Sequence, residues 1–162
     1  MRAYQLHDLV EGPEDLKLVE LPDLFPHPDK YLVKVHAAAV NFFDILQIQG
    51  KHQQKPTFPW IAGNEFSGEI LAVPTGTRAN GWSFRKGDHV FGAALGAFAT
   101  MVAAPESALR PVPKGWTHTE ASSLFYTAPT AYAALVLRAR ARKGNSRCHF
   151  RIRQRITDGR LF

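Results

Sequence analysis

A mainly β domain with a few helices, an α+β class, is what this sequence predicts, and three observations lead there. Short stretches alternate apolar and polar residues with a period of two, the pattern of strands that bury one face. Twelve glycines and 11 prolines divide those stretches into short units. Helical signals are confined to one short segment after Asn41 and to the region beyond Trp116.

In chain order, residues 16–20 (Leu-Lys-Leu-Val-Glu) and 31–37 (Tyr-Leu-Val-Lys-Val-His-Ala) read as strands. Pro22, Pro26 and Pro28 between them mark an extended linker, because proline fixes φ and biases the residue before it away from helix. Asn41 is suited to cap a short helix that starts at Phe42 and ends at Gly50. Further strands are predicted over 67–73, 88–91, 97–102 and 109–112, with Lys86-Gly87-Asp88 as a turn. Thr117 or Thr119 caps a helical segment through Phe125, and Pro129 fits the first turn of a second helix running to Arg140.

The 162 residues suffice for one domain with a single core. The net charge of +6 and pI of 9.7 would ordinarily suggest a nucleic-acid or anionic-membrane partner. The basicity is local, however. Residues 138–162 hold nine Lys and Arg against the single Asp158, which leaves the preceding part slightly acidic. No nucleic-acid reading motif or aromatic stacking pattern accompanies the arginines, so no nucleic-acid partner is expected. The one cysteine, Cys148, excludes an intrachain disulfide framework, and no apolar run has signal-peptide or membrane-span length. A cytoplasmic protein without a membrane partner is the expectation.

Five segments then occur in register: Val35-His36-Ala37-Ala38-Ala39-Val40-Asn41-Phe42-Phe43-Asp44, Gly63-Asn64-Glu65-Phe66-Ser67-Gly68, Gly87-Asp88-His89-Val90-Phe91-Gly92, Gly96-Ala97-Phe98-Ala99 and Ala128-Pro129-Thr130-Ala131-Tyr132. In order and spacing the chain resembles the zinc-independent quinone oxidoreductase, or ζ-crystallin-like, branch of the medium-chain dehydrogenase/reductases, from Arg2 to about Gly144. The resemblance implies a GroES-like, partly open β-barrel over residues 1–128. It implies the start of a linker helix over 129–143, which in relatives leads to a Rossmann domain that binds NADPH. Residues 144–162 depart from the family pattern and read as an aberrant basic tail, expected to be disordered.

Catalytic zinc requires about three soft or borderline donors, and a structural zinc requires four. In zinc-dependent relatives a cysteine lies near the position of Asn41 and a histidine at that of Asn64. Neither ligand is present here, the structural four-cysteine lobe is missing, and the seven histidines show no ligand-pair spacing, so no metal is expected. Without a metal, the resemblance implies reduction of a small-molecule quinone or activated enone by hydride transfer. That reaction needs a flat slot and groups that stabilise the developing oxyanion.

Asn41 and Asp44 are the candidate catalytic residues by that resemblance; Asn41 also reads as a plain helix cap and Asp44 as a charge favoured in the first helical turn. Phe42, Leu46, His52 and Trp60 are candidates for the substrate slot, although relatives often have tyrosine where Leu46 and His52 stand. Phe43 can supply a further aromatic wall. Thr130 matches a threonine that faces the cofactor, and Glu65 is expected to make buried hydrogen bonds. NADPH is implied for the full-length family but not for binding by this chain, because Gly63 to Gly68 lacks the Gly-Lys-Ser/Thr ending of a phosphate loop and lies in a strand pattern.

The tail carries Arg147, Arg151, Arg153 and Arg155 where relatives enter a buried apolar strand, and such a strand cannot hold four unpaired charges. A shifted reading frame or a retained intron is one reading, since with suitable wobble bases the codons read one nucleotide later spell V-V-T-S-A-S-G-S-G. A genuine tail is the other. Three functions follow: a truncated quinone or enone reductase, a short non-redox isomerase or cyclase, and a binding module. The last predicts a homodimer or other self-association through an uncovered apolar face near Phe125, Tyr126 and Leu135.

Overall fold

The computed structural model describes residues 1–76 and 84–141, and the backbone of 155–156. Among the described residues nine strands form two open antiparallel sheets. In the smaller, β1 (Arg2–Leu6) lies between β2 (Leu18–Glu20) and β4 (Trp60–Ile61). The larger has the order β7-β3-β5-β6-β8, formed by β7 (Met101–Ala104), β3 (Tyr31–Val40), β5 (Glu65–Ala72), β6 (His89–Ala93) and β8 (Leu109–Pro111). Both sheets stay open and do not close into the partly open barrel expected, while the mostly-strand fold with few helices is the α+β class expected.

Alternation on β3 builds the main core. Tyr31, Val33 and Val35 face inward and meet Phe66 and Ile70 of β5, Val90 of β6, Val102 of β7 and Leu109 of β8. A second cluster joins Leu6, Ile48, Trp60 and Ala62, and Phe98 packs against both. β3 pairs with β5 from Leu32↔Ala72 to Ala39↔Glu65, with a register shift between Val35 and Ala37. At its far end Ala39 and Val40 pair with β9 (Arg155–Ile156). The rest of the segment read as an aberrant tail, 144–154 and 157–162, lies outside the described residues.

The strands predicted over 67–73, 88–91 and 109–112 coincide with β5, β6 and β8, within two residues at their ends, and the segment 97–102 holds the start of β7. β1 and β4 were absent from the sequence reading: β1 mixes Tyr4 and Gln5 with Ala3 and Leu6, and β4 has two residues. α1 (Phe42–Ile48) starts after Asn41, and Gly50 follows it at φ 67°, a left-handed conformation that glycine adopts without steric cost.

The C-terminal helices differ from expectation in where they break. α2 (His118–Ala121) is capped by Thr117, whose Oγ1 accepts from the Glu120 N–H at 3.3 Å while the Glu120 carboxylate accepts from the Thr117 N–H at 2.8 Å. Loss of this reciprocal cap in Thr117→Ala is expected to cost about 1 kcal/mol, read by thermal denaturation. The chain then turns at Ser122 and Ser123, whose hydroxyls donate to the Thr119 and Glu120 carbonyls, and α3 (Leu124–Tyr132) begins there. Pro129 therefore sits inside α3, not in the first turn of a later helix. The break is earlier because the serine hydroxyls satisfy the last α2 carbonyls and a buried carboxylate, Glu65, takes an α3 N–H. Beyond α3, residues Ala133–Arg138 widen into a π-helix. No helix among the described residues is long and apolar enough to cross a membrane.

Candidate active site

Glu65 is fully buried at the centre of the larger sheet, paired with Ala39 on one side and Ala93 on the other. Small cross-strand neighbours leave room for its carboxylate, and a buried charge requires hydrogen bonds. Asn41, just past the end of β3, supplies one from Nδ2 to Oε2 at 3.0 Å. The Tyr126 backbone N–H supplies another to Oε1 at 3.0 Å, so Glu65 caps α3 from a distant strand.

A second carboxylate grips the same asparagine. Asp44 Oδ2 accepts from the Asn41 backbone N–H at 2.7 Å, which orders the first turn of α1. Asp44 Oδ1 accepts from Asn64 Nδ2 at 2.8 Å, and Asn64 Nδ2 also donates to Gln47 Oε1 at 3.0 Å. Asp44 and Gln47 are three apart on α1 and therefore share a face, both buried. The positions where zinc-dependent relatives hold cysteine and histidine are thus occupied by two asparagines that donate to two carboxylates. Among the described residues, no group of three His, Cys, Asp or Glu side chains is placed to hold a metal ion.

Burial pushes the Asp44 carboxyl up from 3.8 to about 6. The bonds from Asn64 and Asn41 oppose that shift, the Glu65 charge adds to it, and His52 opposes it weakly. Because the folded chain binds this proton more tightly than the unfolded chain, the stability it provides is complete below pH 3.8 and is lost as pH rises through 6. Asp44→Asn is therefore expected to gain about 2–3 kcal/mol over the parent at pH 7 relative to any change at pH 4, measured by urea denaturation at both values.

Aromatic rings flank this network. Phe43, next to Asp44, meets Tyr126 edge-on at 5.3 Å and His52 at 5.9 Å, and Tyr126 meets Phe125 at 5.5 Å. Burial, with the Glu65 and Asp44 charges, raises the Tyr126 phenol and keeps it protonated. Of the predicted slot residues, His52 joins this array and Leu46 is half-buried, its carbonyl accepting from the His52 N–H at 3.1 Å. Phe42 is 74 % exposed, whereas Trp60 is buried in the second core with Leu6 and Ile48. Thr130 is exposed on α3, its hydroxyl donating to the Tyr126 carbonyl at 2.6 Å.

Gln47 and the Asn64 side chain escaped the sequence reading, although the three-residue spacing of Asp44 and Gln47 was a usable signal. The Tyr126 N–H carried no signal, since any residue provides one. Among the described residues every strand pair is antiparallel, and no strand, glycine turn and helix together present backbone amides to a pyrophosphate.

Residues 27–114 match the alcohol dehydrogenase GroES-like domain. A quinone oxidoreductase-like protein 2 homolog of Nematostella vectensis is 36 % identical over 116 residues, covering 70 % of this chain and 31 % of that protein. The quinone oxidoreductase of Rattus norvegicus is 33 % identical over 151 residues, covering 90 % of this chain and 44 % of its own length. The Escherichia coli quinone oxidoreductase complexed with NADPH superposes with a TM-score of 0.74 at 26 % identity, over 83 % of this chain and 40 % of that one. The chain thus spans less than half the length of these relatives. The matched domain, which spans more than half of the chain, places it in the alcohol dehydrogenase GroES-like family.

Proposed function

We propose that the Asn41 site is the substrate side of an NAD(P)H-dependent reduction of a quinone or activated enone. The observation that carries this reading is the double grip on Asn41, whose backbone N–H is held by Asp44 and whose amide is held by Glu65. A carboxylate acceptor forces Nδ2 towards Glu65, and Nδ2 has a second hydrogen to give to a substrate carbonyl oxygen. A donor fixed before substrate arrives needs no reorganisation as negative charge develops on that oxygen. Phe43, Tyr126 and His52 offer flat faces for a planar ring. Asp44 acts as a positioning residue, since both its oxygens are occupied by Asn41 and Asn64. Thr130, exposed on α3, is a candidate for cofactor contact in a longer protein, and a cytoplasmic setting accords with the reading.

The test joins residues 1–141 to the dinucleotide-binding half of a quinone oxidoreductase and follows NADPH oxidation with a simple naphthoquinone. Turnover is expected, and Asn41→Ala is expected to lower kcat by about 100-fold, the loss typical of one oxyanion donor. A well-folded fusion without turnover overturns the proposal. The 162-residue chain alone is expected to show no NADPH binding by calorimetry, and micromolar binding would contradict that expectation.

A further inference from the structure

Three histidines far apart in sequence meet outside the Asn41 site. His36 belongs to β3, His89 to β6, and His118 opens α2. The His118 ring stacks on His36 at a centroid distance of 4.6 Å and lies 4.9 Å from His89. Stacked rings do not aim their lone pairs at one point, so the cluster is not arranged as a metal centre.

The polar contacts fix the nitrogen of His118 that faces Ser67 as a donor. Ser67 Oγ lies 3.0 Å from the Val90 carbonyl and 2.7 Å from His118 Nδ1, and His118 Nε2 lies 2.7 Å from His89 Nδ1. A hydroxyl has one hydrogen and a carbonyl can only accept, so Ser67 donates to Val90 and accepts from His118 Nδ1–H. In the neutral ring this leaves a lone pair on His118 Nε2, which accepts from His89 Nδ1–H. His89 is exposed, and His36 Nε2 faces Glu69, whose Oε2 is 3.8 Å away. A proton on His118 Nε2 is accommodated only where His89 presents a bare Nδ1; against a protonated His89, which carries N–H on both nitrogens, it would set two N–H groups against each other across 2.7 Å.

We infer that the three histidines form an acid-release latch: protonation of His118 undocks α2 from the sheet and, through α3, withdraws the Tyr126 N–H from Glu65. α2 packs on β3 and β5, and only Ser122 and Ser123 separate it from α3. The titratable and charged groups on the elements around His118 are Tyr31, Lys34 and His36 of β3, Glu65 and Glu69 of β5, His89 of β6 with the adjacent Asp88, and Glu120 of α2 itself. Asp88 is bonded to the Arg85 N–H, Glu120 to Thr117, and Glu65 to Asn41 and the Tyr126 N–H, which leaves Glu69, already beside His36, as the carboxylate that favours His118 protonation. Burial, then His36 and His89, push the His118 imidazole down from 6.5 to about 4. The lowered value means that the docking it supports is complete above pH 6.5 and is lost as pH falls towards 4.

The test uses the 162-residue chain and amide exchange read by NMR between pH 7.5 and 4.5, expressed as protection relative to intrinsic rates. Protection at Ala121, Ser122 and Tyr126 is expected to fall at least about tenfold while Val33, Ile70 and Val90 keep theirs. His118→Gln, which cannot be charged, should remove that pH dependence. His89→Gln, at an exposed position, keeps a donor for Nε2 but deletes one positive neighbour, so release should move to lower pH. Loss of helix and core protection together, or an unchanged pH dependence in either variant, overturns the latch. Because the readout is helix docking and not turnover, it is independent of the reductase reading.

Discussion

Glu65→Ala is expected to destabilise the domain by about 2–4 kcal/mol in urea denaturation, because it strands two donors that converge on one buried carboxylate. The Asn41 amide and the Tyr126 N–H both lose their acceptor, at roughly 1–3 kcal/mol for each buried group left unmade. Glu65→Gln should cost less, since a carboxamide oxygen still accepts one of the two. A second readout separates this explanation from simple cavity formation. The Glu65 charge helps to raise Asp44, so the Asp44 carboxyl should titrate below 6 in both variants, with the sign set by the lost charge. Unchanged Asp44 titration would mean that the two carboxylates are not coupled as described.

Gly68→Ala is expected to be at least as damaging, by about 3 kcal/mol or more, or to leave no folded protein. Gly68 sits opposite Val35 in the middle of the β3–β5 ladder, and a Cβ there would stand 2.0 Å from the Lys34 carbonyl oxygen and 2.9 Å from Val33 Cγ1. The first contact is with backbone, so no rotamer change relieves it. Relief requires moving β3 from β5, which would open the ladder that holds Val33, Val35, Phe66 and Ile70 together. The same shift would disturb His36, which lies within the register irregularity between Val35 and Ala37. Thermal denaturation, with amide exchange on β3 and β5, reads the effect; a variant within 1 kcal/mol of the parent would show that the strands have more freedom than their packing implies.

What the sequence made legible was whatever is local or periodic. The alternation of residues 31–37, the Asn41 cap and the Gly50 stop each concern neighbours in the chain, and the corresponding strand and helix are present. The Ser122–Ser123 break was not legible because its cause is partly Glu65, more than 50 residues earlier in the chain. Asn41, Asp44 and Glu65 stood out through family resemblance, whereas their connection through Asn64 and Gln47 depends on where β5 passes α1. The histidine cluster was hidden for a similar reason. His36, His89 and His118 lie on three different elements, and no spacing rule joins them.

The two shifted groups have a joint consequence for the response of the domain to acid. Asp44 releases its proton near 6 when folded and near 3.8 when unfolded, so acidification over that interval strengthens the fold. His118 takes up its proton near 4 when folded and near 6.5 when unfolded, so acidification over almost the same interval weakens it. One group belongs to the Asn41 network and the other to the α2 contact, and they act as opposed weights. A nearly level stability profile in mild acid can therefore conceal an internal transfer of strength, in which the Asn41 side of the molecule tightens while the α2 side loosens.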